Sequence, residues 1–307
     1  MQAADIGVVG EADRKQSPLD LFLIFAGANI VATTIQTGAS LVPAFSFRAA
    51  ATLVGVGSLV GALLVAALSP LGPRLGVPSV VAARAALGFR GAAAVALVLY
   101  VSNFAWIAVN NVIAASACAR VLGGAGSERA WAVGLGVLAT AIAAGGPRAV
   151  GLGISGALLL ALATLTTNFV NLYLSALAWK SIVPHSSDRL SIWSIGLIGA
   201  GLSLFQRGWL DRYADFMLVL GALLVPVGGV LLSHFFVLRS KVRVEDLYDR
   251  EGPYAANRGI VLPSAVAWLL GVIAYWAATP IGGTLPSLVV TFAVHAALSR
   301  RAASAQR

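Results

Sequence analysis

Charged residues are scarce in this sequence. Only 11% of its 307 residues are Asp, Glu, Lys or Arg, whereas 59% are hydrophobic, and the mean hydropathy is +0.88. Apolar runs of about 18 residues or more recur along the chain, which is the pattern of membrane-spanning helices. The composition therefore excludes a soluble domain and predicts an all-α, polytopic membrane protein.

Groups that carry enzyme chemistry are also few. A single cysteine, Cys118, excludes a disulfide framework. The three histidines are scattered without metal-ligand spacing, and the twelve acids lie in tails, loops or span ends, which argues against an intramembrane carboxylate proton relay. We therefore expect neither an enzyme nor a cofactor. Basic residues in loops and tails set topology, so the net charge of +9 predicts no nucleic-acid partner.

The apolar runs predict about nine membrane spans. The segment before them has no apolar core and is not expected to be a signal peptide. We divide the chain into a polar tail (1–18), a four-helix block (19–149), a polar-striped central span (150–183), a second four-helix block (184–300) and a tail (301–307). The predicted spans are Leu19–Pro43, Ala49–Leu68, Ala92–Ala117, Ala130–Ala144, Gly151–Trp179, Leu190–Phe205, Tyr213–Leu238, Gly259–Ala278 and Gly282–Leu298.

The central span carries unusual polarity for an uncharged segment. Thr164, Thr167, Asn168 and Asn171 recur at i, i+3, i+4 and i+7, and Ser175 continues the same helical stripe. Two interpretations are open. The stripe lines a binding site or water-filled cavity, or its side chains bond to the helix's own carbonyls and to neighbouring helices.

Two other spans carry polar groups near their centres. Asn103, Trp106 and Asn110 share one face of the third span, where the indole either presents a flat surface to a planar ligand or fills the core. The first span is polar from Gly27 to Gly38, which predicts either a broken helix that exposes carbonyls to an ion or a kinked, continuous one.

Several segments, in order, resemble the nucleobase–cation symporters, the permeases for cytosine, purines, uracil, allantoin and hydantoins. The cytosine permeases are the nearest branch. The similar segments are Thr33–Gly38 (TTIQTG), Ala82–Gly91 (AARAALGFRG), Trp106, Thr166–Tyr173 (TTNFVNLY) and Val225–Gly229 (VPVGG) followed by Leu238-Arg.

The resemblance implies a leucine-transporter-type inverted-repeat fold and cation-coupled symport of a nucleobase by alternating access. It implies that Trp106 stacks on the base, that Asn103 and Asn168 bond its edges, and that Asn110 and Gln36 are further substrate-binding candidates. It further implies that Thr166 and Thr167, with Thr33 and the first-span carbonyls near it, hold Na⁺. The expected location is the cell inner (plasma) membrane, multi-pass, with a cytoplasmic N-terminus.

The chain departs from the family pattern in its middle. After Arg148 it continues directly into a segment similar to the family's eighth span, so about three central spans are missing. The alternative to a working permease is therefore a truncated, non-transporting membrane protein, a remnant or an assembly partner. Strict alternation of nine spans also places most Lys and Arg outside, against the positive-inside rule. We expect frustrated topology near 150–183: a re-entrant segment, a dual orientation or poor folding.

Overall fold

Helices form all the regular structure of the described residues. The computed structural model describes residues 6–10, 17–19, 22, 26, 29, 32–42, 44–121, 127–145, 157–205, 208, 212–238 and 242–305. We name the helices of eight or more residues α1 (Ala32–Ala39), α2 (Phe47–Leu68), α3 (Arg84–Val121), α4 (Glu128–Gly145), α5 (Ala157–Ile182), α6 (Asp188–Leu202), α7 (Tyr213–Leu232), α8 (Leu262–Ala277) and α9 (Thr284–Ala305). The predicted all-α class is confirmed.

Several of these helices can cross a bilayer. Four stretches of the described residues are long and apolar enough to do so: Phe47–Leu75, Arg84–Arg120, Tyr213–Val237 and Asn257–Ala277. The protein is therefore a multi-pass membrane protein. The count of nine spans and the division into blocks by chain order stay predictions.

Contacts divide the chain into two compact units. The first unit consists mainly of Val9–Leu63 and Leu99–Arg212, and so holds α4, α5, α6 and most of α3. Its core is an apolar cluster of small and branched side chains, which lets the helix axes approach closely. The buried members of this cluster are Ile107, Ala143, Leu172, Ala176, Ile192 and Ile195.

Helices α4 and α6 of the first unit are antiparallel and pack closely at glycines, which have no side chain. A Cβ added at Gly136 would lie 2.8 Å from the Cβ of Ala200, and one added at Gly196 would collide with the side chain of Thr140. The residue numbers rise on one helix as they fall on the other, so the helices run in opposite directions. The five-residue connection between α5 and α6 is closed by an ion pair from Lys180 to Asp188 at 2.6 Å.

The second unit consists mainly of Leu64–Val98 and Tyr213–Arg307. It packs α7, α8, α9 and the first part of α3 around small residues. Gly271 of α8 faces Pro226 of α7 and Thr291 of α9, where a Cβ would collide with both side chains. The Ser287 hydroxyl of α9 donates to the Gly271 carbonyl at 2.8 Å, which ties α8 to α9.

The segment that precedes the straight part of α3 is bent at a glycine. Gly88 has φ 76° and ψ 174°, a conformation that only glycine adopts readily. A Cβ at this position would also lie 2.5 Å from the Gly259 carbonyl oxygen. Nearby, the buried Arg84 donates to the Leu247 carbonyl at 2.8 Å and lies over the Phe89 ring. Conformation and close approach together require glycine here.

The central span does not turn back on itself within the described residues. α5 is one continuous helix of 26 residues. At 1.5 Å per residue its length is about 39 Å, enough for one crossing of a hydrocarbon layer of about 30 Å. A re-entrant segment would need a turn, so the re-entrant alternative is wrong for residues 157–182. The N-terminal part of the predicted span lies outside the described residues.

Candidate functional site

The polar stripe of α5 is tied to α3 inside the first unit. Asn168, fully buried, donates from Nδ2 to Asn111 Oδ1 at 2.7 Å and accepts at Oδ1 from Asn110 Nδ2 at 3.1 Å. Further along, Tyr100 of α3 stacks on Trp179 of α5 with ring centroids 4.9 Å apart. These contacts fix an antiparallel pair of helices joined at its centre by three amides.

Helix α4 leaves room for this amide network because it has a glycine opposite. A Cβ at Gly136 would lie 2.5 Å from Asn111 Nδ2, closer than heavy atoms approach without displacement. Asn111 is 1% exposed, and its Nδ2 has no hydrogen-bond partner in the described part of the chain. A buried donor of this kind is costly in an apolar surrounding. The three asparagines are thus a buried polar centre with unused hydrogen-bonding capacity.

Asn103 and Trp106 lie on α3 one to two turns from the amide network. Asn103 is only 8% exposed, and its amide makes no hydrogen bond with any described residue. Trp106 is half-buried and is three residues further along the same helix face. An amide with both donor and acceptor capacity therefore lies one turn from an indole on the same face of α3.

The other side chains of the stripe are buried or half-buried where they are described. Ser175 is fully buried, and its hydroxyl lacks a hydrogen-bond partner among the described residues. Thr167 and Asn171 are half-buried. The side chains of Thr164 and Thr166 lie outside the described residues, so the expectation for Thr166 stays a prediction.

The first-span candidates are helical where they are described. Thr33 is 6% exposed, and its carbonyl accepts a hydrogen bond from the Thr37 hydroxyl at 2.8 Å. Helix α1 is regular across Ala32–Ala39. The break expected within Gly27–Gly38, and by the family resemblance at Thr33–Gly38, is therefore not found in the described part of that segment from Ala32 onward, because its backbone hydrogen bonds continue through the helix. The side chain of Gln36 and most of residues 27–31 lie outside the described residues. Among the predicted site residues, the described hydrogen bonds join Asn110 and Asn168.

Sequence reasoning missed two features. Asn111 was visible beside Asn110, but its partner became clear only from the pairing of α3 with α5. In the second unit, buried His295 of α9 hydrogen-bonds through Nδ1 to Ser233 Oγ at 2.9 Å, and the His234 ring lies 6.1 Å from the His295 ring. Ser233–Val237 forms a π-helical turn. The spacing of these groups in the sequence gives no sign of the contact.

Comparison with known proteins adds a family and a fold. A sequence profile described as "Permease for cytosine/purines, uracil, thiamine, allantoin" matches residues 8–158 and 151–296. The chain resembles a solved structure of Mhp1, a nucleobase-cation-symport-1 family transporter, in a closed conformation with bromovinylhydantoin bound. That similarity has a TM-score of 0.68 and 14% identity over 98% of this chain and 96% of that chain.

An inward-facing conformation of Mhp1 is also similar, with a TM-score of 0.53 and 15% identity over 83% of this chain and 84% of that chain. The comparison with curated proteins found no match. At these identities the solved structures establish the fold, and the predicted transporter-type helical fold is confirmed. The two profile matches overlap at residues 151–158, and the length of 307 residues is consistent with the shortened middle expected from the sequence.

Proposed function

The chain belongs to the family of permeases for cytosine/purines, uracil, thiamine and allantoin, and on that basis we propose that it carries a nucleobase or a related planar heterocycle across the membrane. The family consists of permeases rather than enzymes. The observation that carries the proposal is Asn103, a buried amide without a described partner, one turn from Trp106.

The proposed substrate contacts follow from the chemistry of these two side chains. Nucleobases present adjacent donors and acceptors on one edge, and an amide group offers both in return. An indole face stacks on a flat heterocycle and excludes water from it. A buried site for a polar, planar molecule needs both, because an unpaired polar edge would be costly there.

Asn110 and Asn168 are proposed to support this site from the amide network. Each amide carries two hydrogens and two lone pairs. The bond between them uses one hydrogen of Asn110 and one lone pair of Asn168. Capacity to bond a substrate therefore remains after the network has formed. Gln36 is kept as a further substrate-binding candidate on the family resemblance alone.

Cation coupling is part of the proposal. Na⁺ takes hard oxygen ligands, and the hydroxyls of Thr166, Thr167 and Thr33 with first-span carbonyls are the proposed set. All three threonines belong to the first unit. We further propose the inner (plasma) membrane and a cytoplasmic N-terminus, as the basic residues Arg14 and Lys15 favour.

A second candidate is a non-transporting member of the family. The observation in its favour is the family match in two parts that meet at 151–158, where about three spans were expected to be missing. A chain without those spans still holds the amide network between α3 and α5. Binding and transport must therefore be tested separately.

The test of binding is thermal stabilisation of the purified protein by a panel of nucleobases, with and without Na⁺. A ligand present at 100 times its Kd stabilises by about 2.7 kcal/mol, which moves a melting curve measurably. We expect a base-selective shift that Trp106→Ala removes. Trp193→Ala is the matched control, because Trp193 is 36% exposed on α6 of the same unit.

The test of transport is uptake of the stabilising base into proteoliposomes with an inward Na⁺ gradient. Gradient-dependent uptake supports the permease, whereas a selective thermal shift without uptake supports the non-transporting member. A protein that melts cooperatively and shifts with none of the bases would contradict the proposed site.

A further inference from the structure

The second unit contains a cavity of about 300 Å³ between α3, α7 and α8. Its volume is at the lower end for small-molecule sites. The cavity shares no residue with the proposed substrate site, and its lining is almost wholly hydrocarbon. Among the lining residues are Leu87, Arg90, Ala94, Leu223, Ile260 and Trp268.

The few polar groups in the cavity wall are already bonded. The Ser264 hydroxyl donates to the Ala86 carbonyl, and Trp268 Nε1 donates to the Leu223 carbonyl at 2.9 Å. A nucleobase here would lose its hydration without gaining hydrogen-bond partners, which is unfavourable for its polar groups. The wall instead suits a hydrocarbon chain, which has no polar groups to satisfy.

One charge stands at the edge of this apolar surface. Arg90 lines the cavity, is exposed, and has no ion pair or hydrogen bond with any described residue. The chain of Gly259 packs against it, since a Cβ at Gly259 would lie 3.4 Å from Arg90 Cγ. Arg258, also exposed, directly precedes that glycine. The cavity wall thus holds one cation, Arg90, and a second exposed cation precedes the glycine that packs against it.

The loop that carries Arg258 has an unusual backbone conformation. Asn257 and Arg258 have φ values of 53° and 60°, a left-handed conformation that is unfavourable for most residues with a side chain. Ile260 of the same loop lines the cavity. The cavity mouth also lies near the first turns of α3 and α8, at the ends of candidate spans, where lipid headgroups are found.

We propose that this cavity binds an anionic phospholipid, with one acyl chain in the apolar interior and the phosphate at Arg90 and Arg258. Guanidinium groups bind phosphate through charge-assisted, bidentate hydrogen bonds. Basic pockets between membrane helices are a known arrangement for anionic headgroups. Neither the amide network nor the nucleobase proposal is needed for this site.

The experiment is lipid retention by the full chain, reconstituted in nanodiscs of equal phosphatidylglycerol and phosphatidylcholine and then transferred to detergent. Native mass spectrometry counts each bound lipid. We expect the wild type to retain phosphatidylglycerol selectively. Arg90→Gln should lower that selectivity about fivefold, the effect of one cation near a headgroup. Arg300→Gln removes the same charge from an exposed position on α9 and should leave it unchanged.

A second variant tests the interior. Ala94 is exposed into the cavity, so Ala94→Phe fills it without displacing the packed core and should remove both lipids. Thermal melts confirm that each variant is folded, and Ala265→Leu replaces Ala94→Phe if the latter is not. The proposal is overturned if Arg90→Gln and the filled variant retain phosphatidylglycerol like the wild type. Equal loss of selectivity in Arg300→Gln would also overturn it, since only general surface charge would then act.

Discussion

Asn168→Leu distinguishes the two interpretations of the polar stripe. Leucine has a similar volume but no polar atoms, so the substitution leaves Asn110 Nδ2 and Asn111 Oδ1 without the partners they have at 3.1 and 2.7 Å. If the stripe holds helices together, stability must fall. If it only binds substrate, stability should hold and ligand binding should fall.

The magnitude follows from the two bonds. Hydrogen bonds between membrane helices contribute about 0.6 kcal/mol on average and about 1.7 kcal/mol at most. Two bonds therefore predict a loss of about 1–3 kcal/mol in the free energy of unfolding. The bonds join fully buried groups, which favours the upper part of this range, because water cannot replace the lost partner.

The assay is unfolding of purified protein in mixed micelles of mild detergent and dodecyl sulfate, followed by circular dichroism. Asn171→Leu is the matched control: Asn171 lies on the same helix, is half-buried and has no hydrogen bond to a described residue. Its change should stay within about 0.5 kcal/mol. If Asn168→Leu is as stable as this control, the network does not hold α3 to α5 and the reasoning is refuted.

Three further predictions concern stability, each measured by the same unfolding assay. Gly88→Ala should lower the free energy of unfolding by about 2–5 kcal/mol, because of backbone strain and the clash with the Gly259 carbonyl oxygen. Gly134→Ala is the control and should be neutral or slightly stabilising, since no atom lies within 4 Å of the new Cβ. Equal unfolding midpoints for the two variants would contradict this prediction. Lys180→Met and Asp188→Asn should show a coupling energy of about 1–3 kcal/mol in a double-mutant cycle, because the side chains of Lys180 and Asp188 are only 14% and 10% exposed. A coupling energy near zero would exclude a stabilising ion pair. His295→Phe should lose about 1–3 kcal/mol by leaving the Ser233 hydroxyl unpaired, and an unchanged midpoint would show that this contact is dispensable.

The extent of the helices was largely predictable from the sequence. The second predicted span, Ala49–Leu68, differs from α2 by two residues at its start, and the predicted start of α7 at Tyr213 is the observed one. Apolar runs bounded by Pro, Gly and charged residues carry this information locally. The bend at Gly88 was not predicted, because it depends on the approach of Gly259 from a distant segment.

The contacts of the site were less predictable than its residues. Asn168 and Asn110 were both singled out by their polarity, yet their bond depends on the antiparallel pairing of α3 and α5, which no local pattern encodes. The contact between His295 and Ser233 is of the same kind. The sequence shows which polar groups enter the apolar region. The packing decides which of them become partners and which, like Asn103, have no hydrogen bond to a described residue.

The amide network has a mechanical consequence for the first unit. The amides of Asn110 and Asn111 on α3 both hydrogen-bond to the Asn168 side chain of α5. Sliding either helix by a single residue would therefore break both hydrogen bonds at once. The stacked rings of Tyr100 and Trp179 form a second contact between α3 and α5. Conformational change in transporters of this fold is largely movement of rigid bodies. The first-unit part of α3 and helix α5 should therefore move together as one rigid body, and any hinge in this unit must lie elsewhere.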